Sequence, residues 1–231
     1  MGQLLMGSLK QNGNRRRDRE RGFSLLEMLS VVAILIVMTV VSVMSMVPVL
    51  KQQRVTNAYN TTLGAMRRAR DNAVAQRTSY SVTFSNSVSP NTITIAPVLP
   101  AGVVTAFQGD QTPVTFQLPI DVSFYAASAL AAVPTPDSYG SAGNAIDFGY
   151  TANGAGTGGQ TTIYFCPDGS AQDAEGGAGN CLGSWDGGVV YIARSGDLMS
   201  SRAVSLWGGT GRIHGWRLYN GTGTTYQWVR Q

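Results

Sequence analysis

The chain has 231 residues, of which 43% are apolar and only 13% charged, and its formal net charge is +4. The first 22 residues hold six Lys/Arg against two acids and so carry that whole charge, leaving eleven of each sign in the rest. Net charge is therefore no argument for a nucleic-acid partner of the main body. The length allows one membrane helix and one globular domain of ~150 residues, and no internal repeat is apparent.

Residues 1–22 are polar and basic without periodicity and read as a disordered leader outside the fold. Arg21-Gly22-Phe23-Ser24-Leu25-Leu26-Glu27 follows, and after Glu27 no charge appears until Lys51. As a helix, residues 28–50 would be about 35 Å long at ~1.5 Å per residue, enough to cross a hydrocarbon core of ~30 Å once. The arginines ahead of the run predict a cytoplasmic N-terminus and an external remainder. A secretory signal peptide would carry a small-residue cleavage site after its apolar core, but Lys51-Gln52-Gln53-Arg54 stands there instead.

Gly22-Phe23-Ser24-Leu25-Leu26-Glu27 resembles the prepilin cleavage motif of type IV pilins and type II secretion pseudopilins. The resemblance implies that a prepilin peptidase cuts between Gly22 and Phe23 and N-methylates Phe23. It also implies that Glu27 serves assembly by pairing with the free amine of a neighbouring subunit. The physics agrees. A charge in a membrane helix costs at least ~2.5–3.5 kcal/mol near the centre and less near the end, so Glu27 needs a reason to be there. Cleavage removes the basic leader and creates a partner amine. A glutamate snorkelling to the cytoplasmic interface is the plainer alternative.

Residues 23–77 read as one long helix, apolar all round in its first half. Pro48 is expected to interrupt it, lacking an N–H and clashing with the preceding turn. Val55, Tyr59, Leu63 (or Thr62), Met66, Ala69, Ala73 and Val74 then form a stripe at helical spacing that should pack on a domain. Arg67, Arg68 and Arg70 read as a solvated face.

From Thr78 the period changes to two. Tyr80, Val82 and Phe84 alternate with polar residues, and Ile93 and Ile95 alternate with threonines. Further strand candidates are 114–118, 122–124, 146–148, 162–165, 189–192, 203–206, 211–218 and 226–229. The predicted fold class is α+β: a long N-terminal helix packed on an antiparallel, β-sandwich-like head over residues 78–231 with eight to ten strands. Residues 126–140, rich in Ala, Pro and Ser, read as a surface excursion, and residues 153–159 as a flexible hairpin tip.

Cys166 and Cys181 are the only cysteines. Outside the cytoplasm disulfides persist, and the polar, Gly-rich stretch between them needs a tie, so they are predicted to pair. Zinc takes three or four Cys/His ligands and His214 is the sole histidine, which argues against a metal site. Asp168, Asp173 and Glu175 could present oxygen ligands to Ca²⁺. Their spacing does not fit an EF-hand loop, and they read as a solvated acidic loop. No cofactor is predicted.

Residues 162–165, then Pro167-Asp168-Gly169-Ser170, then 189–192, 202–206 and Gly211-Arg212-Ile213 follow an order similar to the GspH/FimT group of minor pseudopilins and minor pilins. That resemblance implies a low-abundance, non-enzymatic subunit that helps start or cap a pilus or secretion pseudopilus. Its expected partners are other pilins, the prepilin peptidase, an inner-membrane assembly platform and, before assembly, membrane lipid. Its expected place is the bacterial inner membrane, single-pass, with the head periplasmic. Both filament types use this helix and both stay open.

Two other functions compete. Some FimT-type pilins bind DNA through basic residues near the C-terminus, and Arg212, Arg217 and Arg230 are the candidate contacts here, with Trp207, Trp216, Tyr219, Tyr226 and Trp228 available to stack on bases. The paired arginines expected in the late Gly-Arg strand are absent, since Ile213 and His214 follow Arg212. An anchored hydrolase would need His214 with a Ser and an Asp, but Gly183-Ser184-Trp185-Asp186-Gly187 misplaces the serine of a nucleophile elbow. His214, beside Gly215 and Trp216, reads as a strand-surface residue.

Overall fold

A computed structural model describes residues 23–98, 112–141, 143–151, 156, 158–172, 181, 185–221 and 225–231. The chain divides into two compact units, one ending at Val47 and one spanning Pro48–Gln231.

Helix α1 covers Leu25–Gln76. In the first unit its side chains are exposed and mostly apolar, Glu27 being the one charge. By length and composition α1 is the one helix among the described residues able to cross a membrane. Pro48 lies inside α1 and does not end it, contrary to the sequence expectation. A proline removes one i→i−4 bond and crowds one turn, a cost of ~3 kcal/mol, which the bonded turns on either side outweigh. The boundary between the two units still falls at this proline.

In the second unit α1 buries Val55, Ala58, Tyr59, Thr62, Leu63, Ala65, Met66, Ala69 and Ala73. This is the predicted stripe, with Ala58 and Ala65 added. Val74 departs from it and is exposed. It lies one position past Ala73, about 100° further round the helix.

Eleven strands follow among the described residues. Strands β1 (Ser79–Ser85), β2 (Thr92–Val98), β3 (Val114–Gln117), β6 (Thr162–Phe165) and β7 (Ala171–Gln172) form an antiparallel sheet in the order β3-β2-β1-β6-β7. The second sheet has the order β11-β10-β9-β8-β4. Its strands are β4 (Ser123–Phe124), β8 (Asp186–Arg194), β9 (Asp197–Trp207), β10 (Arg212–Asn220) and β11 (Tyr226–Arg230), and β5 (Ile146–Thr151) also pairs with β8. In register, Val82 faces Ile95 and Ile163, Val190 faces Val204, and Arg217 faces Arg202.

The main core joins the helix stripe to the inward residues of both sheets, among them Val82, Phe84, Ile163, Phe148, Ile192 and Leu206. Phe84 stacks on Phe148 at 5.4 Å and meets Phe124 edge-on at 5.5 Å. The period-two alternation of β1 and β2 follows from having one face on this core.

Residues 126–140 are not a surface excursion. They form 3-10 turns at Ser128–Ala132 and Pro136–Ser138 and bury Leu130, Val133, Pro136 and Tyr139. Leu130 and Val133 pack on Val189, Tyr191, Ala203 and Leu218, the outward residues of the second sheet. This covering explains why β8 is buried along nearly its whole length on both faces. Most of the expected hairpin tip at 153–159 lies outside the described residues.

Candidate functional site

The N-terminal site is built by the helix start. Gly22 lies outside the described residues. Phe23 and Ser24 precede the helix, and its first bond runs from Met28 N–H to the Ser24 carbonyl at 3.1 Å. Glu27 is in the first turn, where the unpaired backbone N–H groups favour negative charge. No cation among the described residues lies within ion-pair distance of it. The arrangement is an exposed carboxylate one turn past Phe23, on a helix that is otherwise uncharged as far as Leu50.

Cys166 and Cys181 form a disulfide, as predicted, with Cα atoms 5.8 Å apart. Asp173 and Glu175 lie outside the described residues. Asp168 accepts from Ser170 N–H and Ser170 Oγ at 2.8 and 2.6 Å, and these bonds hold its carboxyl below the usual range. Here it closes the Pro-Asp-Gly turn.

Arg70 is not simply solvated. Its Nε donates to the Gly169 carbonyl and its Nη2 to the Thr210 carbonyl, each at 3.2 Å. One side chain thus ties α1 to both the Pro-Asp-Gly turn and the turn before β10. Arg67 and Arg212 line the open groove beside it.

Two polar clusters escaped sequence analysis. Asp147 on β5 is fully buried, and its carboxylate accepts from Ser141 N–H, Gly159 N–H, Asn144 Nδ2 and Tyr150 OH. Four donors replace the missing counter-ion. The Tyr150 hydroxyl is pushed up to about 12, first by burial and then by its bond to Asp147. The second cluster lies under residues 134–140. The Asp137 carboxylate accepts from Ser205 Oγ and, at 2.8 Å, from His214 Nδ1, while Trp216 Nε1 donates to Ser205 Oγ at 2.8 Å.

His214 is therefore not a strand-surface residue; it is 8% exposed because the turn carrying Asp137 covers it. Ser205 bonds to the carboxylate and not to the imidazole, and His214 Nε2 has no protein partner. The serine–imidazole bond of a Ser-His-Asp triad is thus not formed here. Among the described residues no group of three or more His, Cys, Asp or Glu is arranged to hold a metal.

The arginines considered for DNA are spread apart. Arg212 and Arg217 line separate clefts. Arg230 stands opposite Trp216, whose side of β10 bears the outer cluster, whereas Arg217 lies on the helix side. Trp216, Tyr226 and Trp228 pack on that outer cluster, and Trp207 meets Tyr139 edge-on at 5.4 Å. Tyr219 is exposed.

Arg202 and Arg217 oppose each other directly across β9 and β10. Arg202 is only 4% exposed, and burial, followed by the charge of Arg217, lowers its pKa. Its Nη1 donates to the Ser200 and Ser201 carbonyls.

In comparisons with protein-family models, curated proteins and solved structures, nothing matches the chain.

Proposed function

We propose that the chain is a minor pilin or pseudopilin of the GspH/FimT type, a non-enzymatic subunit of a type IV pilus or a type II secretion pseudopilus. In this reading a prepilin peptidase removes residues 1–22 and methylates Phe23. Helix α1 first anchors the subunit in the bacterial inner membrane with the head in the periplasm. An assembly platform then draws the subunit into a filament, where neighbouring apolar helices replace lipid around residues 28–50. A head-to-tail contact whose rotation does not close generates such an open filament.

The observation that carries the reading is the position of Glu27. It is the sole charge on the apolar half of α1, one turn after Phe23 and without a cation partner among the described residues. An acid kept there at a cost is accounted for if the cleaved amine of an adjacent subunit meets it. The separation of Arg212, Arg217 and Arg230 supports assembly over a DNA track. The lack of a serine-to-histidine bond at His214 supports a non-catalytic role. Co-purification of Glu27→Ala with the filament's other subunits is the test. The variant should enter the membrane normally yet be lost from the assembled fraction, and wild-type incorporation refutes the pairing.

A further inference from the structure

Arg202 and Arg217 form a conflict within the second sheet. Like charges directly opposite on adjacent strands repel, and no carboxylate among the described residues lies within ion-pair distance of either. Such a local conflict is expected where function has overridden stability. Arg202 is almost wholly buried, whereas Arg217 opposite it is exposed.

The two guanidinium groups line a cleft of about 340 Å³ whose other wall is the start of α1's second unit: Val49, Gln52, Gln53 and Thr56. The Thr56 hydroxyl already donates to the Gln52 carbonyl, which leaves guanidinium and side-chain amide donors, the set that receives phosphate oxygens. The uncharged run ends at Leu50. Thr56 lies six residues on, about 9 Å along a helix. Chain connectivity therefore keeps these cleft-lining helix residues within about 9 Å, along the chain, of the end of the uncharged run.

We propose that the Arg202–Arg217 cleft binds the phosphate of an anionic lipid headgroup. This rests on the membrane-spanning reading of α1. The bound phosphate relieves the arginine repulsion and seats the head on the bilayer surface before assembly. Release of the lipid then accompanies extraction of the helix.

The test uses the full chain in nonionic detergent, with bound short-chain phosphatidylglycerol or phosphatidylcholine counted by native mass spectrometry. Phosphatidylglycerol should be retained in preference. Arg217→Gln, at an exposed position that spares the fold, should weaken that retention about fivefold, the equivalent of ~1 kcal/mol per basic residue at a lipid surface. Arg68→Gln, an equal loss of charge on the exposed side of α1, should leave it unchanged, and the leader's arginines contribute equally to every variant. Equal retention of the two lipids, or an Arg217→Gln chain that binds like wild type, overturns the proposal. Displacement of the lipid by inorganic phosphate at equal concentration would reassign the cleft to a free anion and also overturn it. The same chain in vesicles is washed with alkaline carbonate. Loss from the membrane sinks the spanning reading and the lipid site together. Retention without lipid preference sinks the site alone.

Discussion

Gly211 abuts the carbonyl oxygen of Gly169 so closely that a Cβ on Gly211 would collide with it. Gly211 also has φ +57°, in the left-handed region that disfavours side chains. The Pro-Asp-Gly turn and the turn before β10 therefore meet backbone to backbone, and Arg70 from α1 holds both. This contact gives a physical reason for two short motifs 42 residues apart in the sequence.

Gly211→Ala should cost about 2–4 kcal/mol, combining left-handed strain with steric overlap. Arg70→Met keeps the aliphatic stem and loses both hydrogen bonds, at about 1–2 kcal/mol because the site is half-exposed. Denaturant midpoints with unchanged slopes would check both values. A Gly211→Ala chain as stable as wild type would mean that the two turns do not meet as described.

The Cys166–Cys181 disulfide closes a loop at a sequence separation of 15. In the chain-entropy model a loop of that size contributes about 3 kcal/mol. Replacing both cysteines with serine should lower stability by about that amount, and reductant should then have no further effect. Thermal melts of both proteins, with and without reductant, measure this. A melt of the native chain that reductant leaves unmoved would contradict it.

Tyr150 should make stability fall at high pH. Its folded pKa is raised from the model-peptide 10.0 to about 12, so the folded state holds the proton more tightly than the unfolded chain. The resulting stabilisation is complete below pH 10 and is lost as pH rises through about 12. Burial also raises Tyr59, Tyr139 and Tyr191, which act with the same sign. Tyr150→Phe should therefore flatten the decline without abolishing it. Denaturant titrations across pH 9–12 read the difference, and parallel curves for the two proteins would exclude this role for Tyr150.

The sequence made the regular elements legible wherever one face meets the core. The stripe from Val55 to Ala73 and the alternation of Tyr80, Val82 and Phe84 are direct prints of that geometry. The segment 126–140 was not legible because its burial depends on partners far along the chain. Leu130 and Val133 are isolated apolar residues until β8, β9 and β10 form a surface for them. Pro48 misleads for a different reason. A local rule about one lost bond is set against a helix 52 residues long. The two cysteines could be named from count, and Phe23 and Glu27 were proposed as site residues from a motif. Arg70, Asp147 and the Arg202–Arg217 pair could not, since their roles arise from neighbours that only the fold supplies.

Assembly through Glu27 requires a newly made amine on Phe23, and so requires cleavage after Gly22. The most direct measurement is the intact mass of the chain purified from membranes of cells with an active prepilin peptidase. A polypeptide beginning at Phe23 and carrying one methyl group is the expected result. A chain still beginning at Met1 and unmethylated, in cells that process their other prepilins, would contradict it.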